Sequence, residues 1–405
     1  MNNHHDFIFK IGILGPTRVG KTSLIAAVLQ NSNDLLSGTP VSMAAFDGKT
    51  EKRLSQHHKE LEGSIRAGEF HPGAVSGTEE SFTYELHLNP GVAGAAGIRF
   101  SLLDYPGGWI DADKRPAERE EEWKRCKQWI KDSSVLLVPI ESAVMMEAHI
   151  AAHKRAVPSI LNTHDVASVA RDWAKARAKT PHQPAVMMLC PVKCESYFDD
   201  NGGRLDASDL LKRHVEDYYH EVIEAVRKES DGIDILYAPV DTVGCCEITH
   251  TRWTPHEDSL SFSADYRVRD PARRSIKGAE AVLISLCRLM VDAGKTAEDD
   301  IARQTINAAL EAQAIANLSR TAADAASAYA HRDEGLFVNF WLKLTGERQL
   351  RERAAENQKQ ESEKHQLYAN EKDLSVQAQQ QVLESLDETI QRLAKKPLGS
   401  RASKL

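Results

Sequence analysis

Long apolar runs are missing from this sequence. No window approaches the ~20 consecutive apolar residues that a bilayer-spanning helix needs, so a helical membrane span is not expected. An excess of positive charge is missing too. The 405 residues carry a formal net charge of -8, which argues against non-specific binding to nucleic acid and leaves no nucleic-acid partner indicated. Cysteine is sparse, with six in the whole chain, and their spacing fits no disulfide framework. A reducing, cytoplasmic setting is the simple expectation. Met1–Asp6 is short and polar, without the charged and apolar regions of a secretory leader. Ser403-Lys404-Leu405 matches a C-terminal peroxisomal address, although three residues match by chance often.

What is present is a chain too long for one core, so two units are expected. Phe7–Leu14 (FIFKIGIL) is a short, β-branched apolar run stopped by Gly15-Pro16, and reads as a buried strand followed by a helix over Thr22–Gln30. Ser81–Leu88 and Ile98–Leu103 read as an antiparallel hairpin across a Gly-rich turn. Val135–Ile140, Ala185–Cys190 and Ile233–Val240 read as further buried strands, with helices over Ala112–Lys131 and Ala279–Met290 among the connections. Strands alternating with helices predict an α/β fold with a mainly parallel sheet covered on both faces. Trp253–Asp270 reads as a polar surface insertion. After about Asp292 the composition turns Ala-, Glu- and Gln-rich, so residues 1–292 and 293–405 are expected as separate units, the second a helical tail or hairpin. Within it Leu336–Leu344 (LFVNFWLKL) is a patch for packing or a partner. It lacks the basic face that would favour strong electrostatic binding to a membrane surface.

Gly15-Pro-Thr-Arg-Val-Gly-Lys-Thr fits G-x-x-x-x-G-K-[ST] without a gap, between a predicted strand and a predicted helix. In this arrangement the backbone N–H groups of Gly15, Thr17, Arg18, Val19 and Gly20 and the helix N-terminus at Thr22-Ser23 wrap a phosphate. Lys21 brings a positive charge to the β- and γ-phosphates, and the Thr22 hydroxyl ligates Mg2+. Downstream, Asp104-Tyr-Pro-Gly107 closes the Ile98 strand. Asp104 can hold Mg2+ through water and the Gly107 N–H can meet a γ-phosphate; the plainer reading is a strand-ending turn.

GPTRVGKT followed by DYPG resembles the translation-factor-related class of P-loop GTPases, and DYPGGW at Asp104–Trp109 resembles bacterial YcjX-like and "double-GTPase" proteins. The resemblance covers about Phe7–Met290. It implies a P-loop NTPase G domain that binds guanine nucleotide (GTP/GDP) and Mg2+. It places Thr78 as a second Mg2+ ligand in the first switch, with Thr83 as the competitor. Base recognition falls on Val192-Lys193-Cys194-Glu195, where Lys193 and Glu195 stand for the lysine and carboxylate of N-K-x-D but Val192 replaces the amide. Asp241, Thr242 and Val243 fall where backbone amides meet the base edge. Gly108 stands where small GTPases often have a water-orienting Gln. Guanylate-binding proteins and atlastins resemble this loop in having an arginine at the position of Arg18, which there acts as an internal finger.

These features lead to an expectation of a GTP-hydrolysing switch, with Arg18, Lys21, Thr78 and Gly107 as catalytic candidates. The tail would transmit the nucleotide state to a protein partner or second protomer, and the resemblance suggests a bacterial conflict or stress system. A dynamin-like membrane GTPase and a weakly hydrolysing scaffold are the rival readings.

Overall fold

The computed structural model describes residues 8–292 apart from 67, 71–76, 90, 92–97, 182, 202–204, 245, 257–258, 270–274 and 290, and residues 381–405 apart from 382–383, 387 and 393–400. The Leu336–Leu344 patch and most of the expected tail lie outside the described residues.

The strands are β1 (Ile8–Ile13), β2 (Ser42–Ala45), β3 (Ile65–Arg66), β4 (Glu69–Phe70), β5 (Phe82–Asn89), β6 (Ile98–Asp104), β7 (Val135–Glu141), β8 (Val186–Val192), β9 (Asp234–Tyr237), β10 (Cys246–Pro255), β11 (Leu260–Val268) and β12 (Ser403–Lys404). Eight of them form one sheet in the order β12-β9-β8-β7-β1-β6-β5-β2. The run from β9 to β6 is parallel, and β5, β2 and β12 are antiparallel additions at the two sides. This is the expected α/β fold with a mainly parallel sheet, including the β5–β6 hairpin.

The central strands are apolar at consecutive positions because both sheet faces are covered. On one face Leu136, Val138, Met187 and Leu189 pack with Trp123, Ile130, Trp173, Val215 and Val226. These come from α3 (Glu120–Asp132), α6 (Thr163–Ala178), α7 (Ser208–Tyr218) and α8 (His220–Arg227). On the other face Ile11, Ile13, Leu137 and Met188 pack with Leu24, Ile25 and Val28 of α1 (Lys21–Leu36), and with Val282, Leu283 and Leu286 of the helix at 279–289.

Three local expectations change. The helix expected from Ala112 starts only at Glu120, because Pro116 holds an extended backbone (φ -60°, ψ 137°) and Ala117–Arg119 winds as a short 3-10 turn. Glu120, Glu121 and Glu122 then sit in the first helical turn, where their charge complements the helix dipole. The stretch expected as a polar insertion instead lies largely within the β10–β11 hairpin of a second sheet, β10-β11-β4-β3. There Trp253 stacks on His153 with ring centroids 4.2 Å apart. Finally, the chain's end does not stay with the tail. Residues 1–293 and 382–405 form one compact unit, and 294–381 the other. Near the end of the chain Leu386 and Ile390 enter the core, and β12 pairs with β9, the Leu405 N–H donating to the Ile235 carbonyl at 2.9 Å. A sheet edge offers unpaired backbone groups, which is why two residues suffice to dock there.

Candidate functional site

Ligands of open α/β sheets bind outside the carboxyl ends of the strands, and the candidate residues gather there. The segment Leu14–Gly20 leaves β1 and turns into α1 at Lys21. Arg18 holds a left-handed backbone (φ 61°) and Gly20 a positive φ of 98°, which folds the loop back on itself. Thr17 and Arg18 are exposed at its rim, Val19 is buried beneath it, and Ser23 is half-buried in the first turn of α1.

Lys21 is buried and donates to the carbonyls of Gly15 and Pro16, each at 3.0 Å. Its ammonium lies 5.2 Å from the centre of the Tyr105 ring. Burial pulls its pKa down to about 8, against the opposing charge of Asp104.

The three residues assigned to Mg2+ come together although 82 positions separate the first from the last. The Thr22 hydroxyl donates to Asp104 Oδ2 at 2.7 Å, the Thr78 hydroxyl donates to the same oxygen at 3.1 Å, and the two hydroxyls lie 3.0 Å apart. One carboxylate and two hydroxyls suit a hard cation that takes oxygen ligands and keeps places for water and phosphate. Thr83, the rival of Thr78, lies within β5 opposite Leu103. Gly107 is buried against the phosphate loop: a Cβ built on it falls closer than 3.0 Å to backbone atoms of Pro16 and Thr17.

On the base side, Val192 and Lys193 pack on the loop. A Cβ on Gly20 would meet the Val192 side chain at 3.3 Å and the Lys193 stem at 4.0 Å. The Val192 side chain thus lies beside Gly20 of the loop. The Lys193 ammonium pairs with Glu141 at 2.7 Å.

No protein-family model matches the chain, and no curated protein matches it. Solved structures do match. A dimerization-deficient mutant of Toc33 from Arabidopsis thaliana aligns at 14% identity over 57% of this chain and 70% of that one, with a TM-score of 0.27. The S. cerevisiae Ski7 GTPase-like domain bound to GTP aligns at 11% identity over 60% of this chain and 46% of that one, with a TM-score of 0.30. The same domain bound to GDP and inorganic phosphate gives 12% identity, 59% and 44% coverage, and a TM-score of 0.29. The chain thus spans less than half of either Ski7 chain, and the reading of its site stands on its own geometry.

That geometry corrects part of the base side. The Thr242 and Val243 N–H groups, expected at the base edge, donate to Glu195 Oε1 at 3.1 and 2.9 Å, and Gly244 N–H joins them at 2.8 Å. Glu195 is fully buried: its Oε1 organises the loop after β9, while its Oε2 has no hydrogen-bond partner among the described residues. Asp241 is fully buried too. It accepts hydrogen bonds from Arg401 and Asn201, and so anchors the loop it opens.

Two contributors escaped the sequence reading. Tyr105 is fully buried, its hydroxyl accepts from the Gly15 N–H at 3.4 Å, and its ring packs on Trp123 at 5.2 Å. It props the phosphate loop from below, and its place between Asp104 and Pro106 was the available signal. The second is α2 (Gly48–Ser64). It starts where Asp47 caps the Thr50 N–H at 2.7 Å, and it brings Arg53 and His57 to a cavity of about 360 Å³ shared with Thr22 and Thr78. No short motif marks that helix.

The lowered pKa of Lys21 has a measurable consequence. Phosphate binds the ammonium form, so affinity for an inorganic or nucleoside triphosphate should be full below about pH 8. Above it, affinity should fall by about tenfold per pH unit. Lys21→Ala should lose that slope, as titrations between pH 7 and 10 would read. The sign for the empty protein is opposite. The folded-state value of about 8 lies below the ordinary 10.5, so the unfolded chain binds more protons in that window and stability rises with pH through it.

Proposed function

We propose that this chain binds a guanine nucleoside triphosphate with Mg2+ and hydrolyses it as a conformational switch. The observation that carries the reading is the convergence of Thr22, Thr78 and Asp104 within 3.1 Å of one another, beside the loop that holds Lys21. Bound there, Mg2+ would neutralise charge on the β- and γ-phosphate oxygens. The loop amides and the α1 N-terminus would cradle the phosphates. Lys21 would exchange its two loop carbonyls for phosphate oxygens.

A γ-phosphate reaching both Thr78 and the Gly107 N–H would tie two separate segments together, and its loss would release them. Residues 294–381 are the natural carriers of that change to a partner or second protomer, in a cytosolic setting. The YcjX-like resemblance adds a role in bacterial conflict or stress as the biological context. Gly108 favours a second reading, a nucleotide-dependent scaffold with little turnover, because no side chain follows Gly107 to order water.

Affinities for GTP, GDP and ATP with and without Mg2+, together with phosphate release, test both readings. We expect GTP to bind more tightly than ATP, and Lys21→Ala to weaken GTP by about 10- to 100-fold, the worth of a charge-assisted contact of about 1.5 to 3 kcal/mol. Binding that is indifferent to Lys21 would refute the site. Binding without phosphate release would select the scaffold.

A further inference from the structure

The loops that flank the base position, after β8 and after β9, are held by a residue from the far end of the chain. Arg401 stands two positions before β12, which docks on β9. Its side chain is only 4% exposed, although it belongs to a segment some 160 positions away from its partner Asp241. The guanidinium donates through Nη1 to Asp241 Oδ1 at 2.7 Å and through Nε to Asp200 Oδ2 at 3.2 Å, with Nη2 on the other Asp200 oxygen. Its Cζ lies 3.9 Å from the centre of the Phe198 ring.

Each of these partners belongs to a base loop. Asp200 and Phe198 follow Glu195 in the loop after β8. Asp241 opens the loop whose next three N–H groups converge on Glu195 Oε1. Asp241 Oδ2 in turn accepts from Asn201 and from the Lys277 N–H at 3.3 Å, so the region before the helix at 279–289 joins the same network. A planar fork that bridges two carboxylates and stacks on a ring fixes orientation in a way that a point charge cannot.

We infer that Arg401 is a specificity-determining positioning residue: by clamping Asp200 to Asp241 it sets the mutual geometry of Glu195 and the 242–244 amides, and so determines which purine the site accepts. The inference rests on the nucleotide-binding reading above, but it concerns the base and leaves the phosphate loop alone.

The test uses the full chain, comparing wild type with Arg401→Ala and Arg401→Lys. Fluorescent GTP and ATP report on the base, and inorganic tripolyphosphate reports on the phosphate loop alone. In wild type we expect GTP to be preferred over ATP by at least about tenfold. In both variants that ratio should fall to within about threefold, with tripolyphosphate affinity unchanged. Arg401→Lys keeps a charge beside the buried Asp241, so it guards against simple unfolding and separates the fork from the charge: a lysine that restores the ratio would overturn the positioning role. A ratio unchanged in Arg401→Ala would overturn the inference, as would a wild type that binds GTP and ATP equally. Failure of wild type to bind tripolyphosphate would instead strike the nucleotide-binding reading itself.

Discussion

Gly107→Ala should weaken GTP binding by about 10³-fold, while Gly108→Ala, one residue on, should leave it within about threefold. The two glycines are adjacent and both lie in the turn after β6, yet their surroundings differ. A Cβ on Gly107 would fall closer than 3.0 Å to the backbone of Pro16 and Thr17, whereas on Gly108 the nearest atom is Thr17 Oγ1 at 3.5 Å, an ordinary contact. A flexible side chain could move aside for the first methyl, but these are backbone atoms of the phosphate loop. Relief therefore requires the loop itself to shift away from Asp104 and Thr22. Each charge-assisted amide–phosphate bond contributes about 1.5 to 3 kcal/mol, so misplacing two of them costs about 3 to 6 kcal/mol, or roughly two to four decades of affinity. Circular dichroism melting should show the fold intact, because the main cores lie on the two faces of the sheet and Gly107 contributes no side chain to either. Equal tolerance of both substitutions would mean that Gly107 does not face bound phosphate.

The candidate phosphate loop was proposed from the sequence because its residues are contiguous. Gly15 to Ser23 must be contiguous for backbone amides to wrap an anion, and Asp104 to Gly107 must follow a strand to reach it. Thr78 came only from the resemblance, yet it meets Thr22 and Asp104 at hydrogen-bond distance. The base side was less legible. Lys193 and Glu195 have the right order along the chain, but order does not say that Glu195 turns inward to gather three backbone N–H groups. Arg401 was invisible for a related reason: its partners are Asp200 and Asp241, and no pattern of spacing connects them across some 160 positions or more. The sheet itself was read well where strands are buried on both faces, as in Val135–Ile140. It was missed where pairing depends on partners, as in the β10–β11 hairpin and the two-residue β12. A strand that short has no periodicity to detect, and only the free edge of β9 makes it one.

Arg18→Ala should leave GTP affinity within about threefold and lower the rate of phosphate release by about 10³-fold. The residue is exposed at the rim of the phosphate loop, with a left-handed backbone that turns the chain there. Substitution by alanine keeps a non-glycine residue at the same φ, so the loop conformation changes little and the experiment reads the guanidinium alone. Gly108 supplies no side chain to order the attacking water, which leaves charge stabilisation on the transferring phosphoryl group as the main device this loop can offer. An arginine brought to that group typically accelerates hydrolysis by 10³ to 10⁵. Arg18→Lys should recover only a small part, because an ammonium lacks the planar fork that contacts two phosphoryl oxygens together. Single-turnover phosphate release, measured over a range of protein concentrations, distinguishes two ways of placing the side chain. A rate independent of concentration means that the loop positions Arg18 by itself, and a rate that rises with concentration means that a second copy helps to hold it over the nucleotide. Turnover equal to wild type in Arg18→Ala would remove the finger and leave the cavity shared by Thr22, Thr78, Arg53 and His57 as the place to seek the catalytic group.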